Sequence, residues 1–215
     1  MTQGFVPDRR LEESAYRLLA KHEAKYGKIA SPPVPIERIL EDTLGLNILW
    51  DHITEPPGET ILAGLNPEDH QVIFNETRRK LFDETSGLYY TVLGHESGHW
   101  DVHVDKTVLM HPRLAGFEKV YSCLYKKAGP GYGPKETQAN RYMGYLLLPS
   151  NLVSSAAMGI DLTVWASLYK LREAFQVTIS ALKIRLEQLG LVYVASDGTL
   201  YPSRQEYAGQ QRLSP

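Results

Sequence analysis

The pentapeptide His95-Glu96-Ser97-Gly98-His99 constrains this chain more than any other stretch of it. Residues four apart lie one above the other on a helix face, so both imidazoles can reach one point when the segment is helical. Held that way they offer two nitrogen ligands to a single metal ion, while Glu96 points at the water beside it. The pattern predicts the chemistry of a zinc-dependent hydrolase. A catalytic zinc site takes three protein ligands and keeps one position open for water, so a third donor has to come from elsewhere in the chain.

The search for that donor decides which elements must pack together. A third histidine placed after H-E-x-x-H-x-x-G fits poorly, because Val102 holds the glycine position and Asp105 the histidine position. His103 continues the row of histidines, but its Cα would lie about 12 Å along the axis from that of His95. It is read as a residue supporting the ligands from behind. Glu118 and Glu136 remain. Glu118 falls in an irregular stretch, whereas Glu136 opens a helix on which Ala139, Met143 and Leu147 share its side and can dock it. Glu136 is the preferred third ligand.

Composition excludes several other classes. The chain of 215 residues is long enough for a sizeable core, and its net charge of −2 gives no global attraction to nucleic acid or acidic lipid. Local basic clusters such as Arg78-Arg79-Lys80 and Lys126-Lys127 read as solvated faces. One cysteine, Cys123, cannot form an intrachain disulfide and reads as a packing residue. No leader-like apolar segment opens the chain and no membrane-length apolar run follows, so a cytoplasmic location is expected.

Hydrophobic periodicity orders the elements. Leu11, Ala15, Leu18 and Leu19 predict a first helix capped by Asp8 and stopped at Gly27. After the stiff Ser31-Pro-Pro-Val-Pro35 connector, a short helix from Ile36 ends at Gly45. Residues 46–50 predict a strand, and 61–65 with 71–75 predict a hairpin. The motif helix is expected to run from near Ser86-Gly87 to His103, followed by an unusually long loop over 116–134. A helix over 136–148 then stops at Pro149, and Ser150 caps a further turn. Helices around 162–171 and 177–190, a short strand at 191–194 and a polar, poorly ordered end complete the pattern. The expected fold class is α+β. A small antiparallel sheet packs on the H-E-x-x-H helix within residues 1–150, a helix-turn-helix-like unit spans 151–195, and a polar tail spans 196–215.

Two segments, Tyr90-Thr-Val-Leu-Gly-His-Glu-Ser-Gly-His-Trp-Asp-Val-His103 and Glu136-Thr-Gln-Ala-Asn-Arg-Tyr-Met-Gly-Tyr-Leu-Leu-Leu-Pro149, resemble the ImmA/IrrE-type metallopeptidases. That family pairs H-E-x-G-H and a further His four residues on with a downstream E-x-x-A-N/D-x-F-A-x-x-L-L-x-P helix. Pro33-Val-Pro-Ile36, Leu44-Gly-Leu46 and Val72-Ile-Phe-Asn75 also follow its usual run, so the resemblance spans roughly residues 30 to 192. It implies a minimal zincin-like fold, Zn²⁺ held by His95, His99 and Glu136, and Glu96 as the catalytic carboxylate. His103, Tyr90, Asn140 and Tyr142 are candidates for transition-state or ligand-supporting roles, with Tyr89 a further possible donor to an oxyanion. The implied substrate is a helix-turn-helix transcriptional repressor whose cleavage relieves repression. Tyr142-Met143-Gly144 departs from the family's Phe-Ala, and Asp101 stands where an apolar residue is common. Two other readings compete. One is a metal-bearing regulator, an anti-repressor or toxin-antitoxin component, that binds a partner without cutting it. The other is DNA binding through residues 162–192, where Lys183 and Arg185 are the only basic residues of the second helix.

Overall fold

The computed structural model describes residues 6–105, 121–126 and 133–213. It is a mixed α+β structure, mostly helical. Helix α1 (Asp8–Tyr26) buries Leu11, Ala15, Leu18 and Leu19 on one face, and the chain leaves it at Gly27 with φ of 91°. Helix α2 (Ile36–Arg38) continues as a π-helical segment over Ile39–Leu44, then turns at Gly45 with φ of 69°. In both places the left-handed backbone is one that a side chain would disfavour, so glycine ends the helix as expected.

Strands β1 (Asn47–Asp51), β2 (Thr60–Asn66), β3 (Gln71–Asn75) and β4 (Tyr121–Lys126) form one sheet in the order β1-β3-β2-β4. β2 and β3 make the expected hairpin, with Ala63 opposite Phe74 and Leu65 opposite Val72. Two expectations are corrected. The sheet is mixed, because β1 runs parallel to β3 with Asn47 opposite Gln71. The stretch predicted as one long loop contains β4, which pairs antiparallel with β2. Parallel pairing needs the chain to cross over between β1 and β2, and Asn75 holds that crossover in place. Its fully buried amide donates to the Ile61 carbonyl (3.0 Å), the Ile53 carbonyl (3.3 Å) and Glu55 Oε1 (3.2 Å), and its oxygen accepts from Ile53 N and Thr77 N. A buried amide satisfied on both sides is worth more as a fixed tie than any single strand bond.

After α3 (Arg79–Glu84), helix α4 (Leu88–Gly98) carries the motif and passes directly into a π-helical turn, His99–His103. Gly87 precedes it with φ of 76°, and a Cβ there would run into the backbone of Val177. Gly87→Ala combines left-handed strain with a clash against main chain, and should lower stability by about 2–4 kcal/mol, read from the shift of the urea unfolding midpoint.

Helix α5 (Pro134–Leu147) packs against both α1 and α4. Helices α6 (Ser150–Ala157), α7 (Trp165–Phe175) and α8 (Ile179–Gln188) follow, then the β5 (Tyr193–Val194) and β6 (Leu200–Tyr201) pair and α9 (Arg204–Leu213). The end of the chain is thus more regular than its polarity suggests, since Tyr207 on α9 packs its ring on Tyr193 and Tyr201 at 4.9 and 5.2 Å. Asp8 and Ser150, expected as caps, each follow a proline as the first residue of their helices instead. Asp8 pairs with Arg141, and the Ser150 hydroxyl meets Tyr16 at 3.0 Å, so both side chains join elements rather than end them.

One hydrophobic cluster runs through the described residues from Leu11 to Leu200. Arg185 on α8 is only 3% exposed within it. Its Nε donates to the Leu148 carbonyl at the end of α5 (2.9 Å), Nη2 reaches Glu12 (3.3 Å), and the guanidinium lies 4.8 Å from the Tyr145 ring centre. One of the two basic residues considered for DNA contact is therefore spent inside the protein, capping a helix C-terminus. Among the described residues no helix is long and apolar enough to cross a membrane.

Candidate metal centre

The approach of α4 to α5 creates the site, and two glycines permit it. A Cβ on Gly98 would lie 3.0 Å from Ala139 Cα and 3.2 Å from Tyr142 Cβ, and one on Gly94 would lie 2.8 Å from Leu147 Cδ1. With no side chain there, α5 settles against the motif helix and lays Glu136, in its first turn, over His95 and His99. Their ligand atoms converge: His95 Nε2 is 3.2 Å from Glu136 Oε2, His99 Nε2 is 3.0 Å from Glu136 Oε1, and the two Nε2 atoms are 3.0 Å apart. Four ligands placed tetrahedrally about an ion at ~2.0–2.1 Å stand about 3.3 Å from one another, close to these separations. Two imidazole nitrogens and a carboxylate, all within 4.8 Å and mostly buried, form a group that could hold a metal ion. Glu118 lies outside the described residues.

Protonation in the metal-free protein follows from burial and mutual attraction. Burial alone would neutralise all three groups, but the facing imidazole pair, His95 foremost, holds the Glu136 carboxyl down to about 2. The two imidazoles diverge. Burial lowers both, yet the hydrogen bond to Glu136 and the nearby Glu96 charge leave His95 raised, whereas burial prevails at His99 and leaves it lowered. A proton on His95 and a metal ion compete for one lone pair.

Glu96 is fully buried, and neither carboxylate oxygen has a hydrogen-bond partner among the described residues. Burial pushes its carboxyl up to about 8, partly countered by His95. An unpartnered carboxylate in such a place costs stability and calls for an explanation other than structure. Next to two imidazoles and a glutamate that converge on one point, the donor set fits a divalent ion with Glu96 beside it.

The supporting candidates separate into two groups. Asn140 Oδ1 accepts from His95 Nδ1 at 2.9 Å, which leaves Nε2 to face Glu136. His103 Nδ1 is 3.0 Å from His99 Nδ1, and its Nε2 is 2.9 Å from Gln138 Oε1. Burial takes His103 down to about 4, so it is neutral at pH 7. Both residues thus stand behind the histidines. Tyr142, by contrast, is wholly buried and donates its O–H to Asp101 Oδ2 (3.1 Å), an oxygen that also accepts from Ser14 on α1 (2.6 Å). Tyr142 therefore joins helices and is not aimed at an oxyanion. Asp101 and Tyr142 are two of the positions that depart from the family pattern, and here they satisfy one another. Tyr89 donates to Glu37 and stacks on Phe74, and Tyr90 packs edge-on against Tyr89. Among the described residues, no contact joins either tyrosine to the His-His-Glu group.

Gln138 was not picked out from the sequence. Its signal was a polar residue heading the buried i, i+4, i+7 stripe Gln138, Tyr142, Tyr145. Neither a scan of protein-family models nor a search of curated proteins returned a match to this chain.

Proposed function

We propose that this chain is a zinc-dependent endopeptidase that hydrolyses a peptide bond in a protein, a helix-turn-helix transcriptional repressor. The observation that carries the reading is the convergence of His95, His99 and Glu136 beside a buried carboxylate with no hydrogen-bond partner among the described residues. The substrate class rests on the resemblance of the two motif segments to the ImmA/IrrE-type metallopeptidases. His95, His99 and Glu136 would hold the zinc ion, which would supply Lewis acidity toward water and the scissile carbonyl.

The residues of the chain do the rest. Glu96, in the ionised form that a neighbouring cation would favour, takes a proton from the attacking water and returns it to the departing amine. Asn140 holds the His95 ring with Nε2 inward. Glu96 is fully buried, which raises the strength of the charge interactions it makes.

The deciding experiment has two parts. Zinc binding is measured for the wild-type chain and for His95→Ala, and the zinc-loaded protein is incubated with the repressor encoded beside its gene. The expected result is one zinc per chain, lost with His95→Ala, and two repressor fragments that form only with the loaded wild type. An intact repressor recovered in a zinc-loaded complex would replace this reading with that of a regulator that binds without cutting. Absence of zinc binding would overturn both.

A further inference from the structure

We infer that Gln138, acting through His103, is a positioning residue that decides which nitrogen of His99 carries the proton, and so whether His99 can bind a metal. The inference rests on the reading of His95, His99 and Glu136 as a metal site. It starts from a continuous line of contacts: Gln138 Oε1 to His103 Nε2 at 2.9 Å, His103 Nδ1 to His99 Nδ1 at 3.0 Å, and His99 Nε2 to Glu136 Oε1 at 3.0 Å. All three side chains behind Glu136 are buried, with Gln138 6% exposed, His103 3% and His99 0%, so bulk water is kept from replacing a link.

Each link determines the next. An amide oxygen only accepts, so His103 must carry its hydrogen on Nε2. A neutral imidazole has one N–H, which leaves His103 Nδ1 as an acceptor. It accepts from His99 Nδ1–H, and His99 Nε2 then carries no hydrogen on the side that faces Glu136 and His95. If the Gln138 amide were turned to present its NH₂, every donor in the line would reverse. His103 would carry its hydrogen on Nδ1, His99 on Nε2, and that hydrogen would point at Glu136 and occupy the direction a cation needs. The two settings differ by one amide rotation at one end and by a metal ligand at the other.

The two histidines are thus set by unlike means. His95 is fixed by a single bond to Asn140 on the exposed side of α5, whereas His99 is fixed two residues deep in the core. Gln138 and Glu136 lie two residues apart on the same helix, so the element that delivers the third ligand also sets the protonation of the second.

Gln138→Met keeps the side-chain length and removes the acceptor, and Gln138→Glu supplies an acceptor that cannot reverse. Zinc affinity is measured by chelator competition, and imidazole protonation by long-range ¹H–¹⁵N spectra of the zinc-loaded protein. Gln138→Met should weaken zinc binding by about 10–100-fold, as for loss of other groups that orient a ligand, while Gln138→Glu should stay within about threefold of wild type. In the zinc-loaded wild type His99 should carry hydrogen on Nδ1 and His103 on Nε2. Should Gln138→Met fail to fold, the wild-type spectrum decides alone. Wild-type affinity in folded Gln138→Met, or hydrogen on His103 Nδ1 in the loaded wild type, would overturn the inference. Failure of the underlying metal-site reading looks different: the wild type would bind no zinc, or would bind it equally well after His95→Ala.

Discussion

Glu96→Gln is expected to keep zinc and lose catalysis. The substitution leaves His95, His99 and Glu136 in place, so zinc affinity should change little, while removal of the proton carrier should slow repressor cleavage by about 10²–10⁴-fold. The same variant should also be more stable without metal, and the effect has a defined sign with pH. In the folded protein burial raises the Glu96 carboxyl to about 8 from 4.5. As pH rises through that interval the unfolded chain gives up its proton while the folded chain keeps it, so the folded state loses stability across the window and the loss levels off above about 8. Gln cannot ionise, so the gain from Glu96→Gln should be small at pH 4.5 and reach on the order of 4 kcal/mol near pH 8. Urea unfolding of the metal-free proteins at several pH values measures it. A gain independent of pH would mean that Glu96 is ionised and partnered in the folded state, contrary to its surroundings.

Gly98→Val should damage fold and site together. The first carbon of the new side chain would already sit 3.0 Å from Ala139 Cα and 3.1 Å from the Ala139 carbonyl, which are main-chain atoms that cannot rotate away. α5 must move outward, at a cost of about 1–3 kcal/mol or more for an overpacked contact, and Glu136 moves with it. Zinc affinity should fall at least about 100-fold even where the protein remains folded, since ligand positions matter at the level of tenths of an ångström. Gly144 on α5 supplies the control, because a Cβ there meets nothing within 4 Å. Gly144→Ala should leave zinc binding intact and raise stability by about 0.5–1 kcal/mol through helix propensity alone. Calorimetry with zinc titration separates the two outcomes. If Gly98→Val binds zinc like wild type, the close contact of α4 and α5 does not govern the site.

What could be read from the sequence was whatever depends on short-range periodicity. α1, α2, the β2–β3 hairpin and α4 follow from repeats of 3.6 and 2 residues bounded by glycines whose backbone is left-handed in the structure. The three converging side chains were found for the same reason, two by their spacing of four and one by heading a patterned helix. The parallel pairing of β1 was hidden because it depends on an amide, Asn75, bonding to residues 14 and 22 positions away. β4 was hidden by the glycines and prolines around it, although its first half, residues 121–123, pairs in regular register with β2 and the rest pairs through register shifts. α9 was hidden because it is tied to the β5–β6 pair by ring packing of Tyr207 on Tyr193 and Tyr201, which leaves no periodic signal in its polar sequence. Around the site, Ser14 and Gln138 were missed since each acts through a second side chain, Asp101 or His103, rather than on the cluster itself.

The position of Arg185 reaches further than its own surroundings. α5 begins beside Glu136 and ends at the Leu148 carbonyl, about 18 Å along the axis at ~1.5 Å per residue. The far end is gripped by a guanidinium from α8, which also covers the Tyr145 ring. A helix is stiff over that distance, so the stretch of chain after residue 150 acts as a rear mount for a front-facing carboxylate. Any force that drew α8 away, whether a partner grasping the C-terminal helices or a cut in the link before them, would loosen the proposed metal site without touching any of its three side chains.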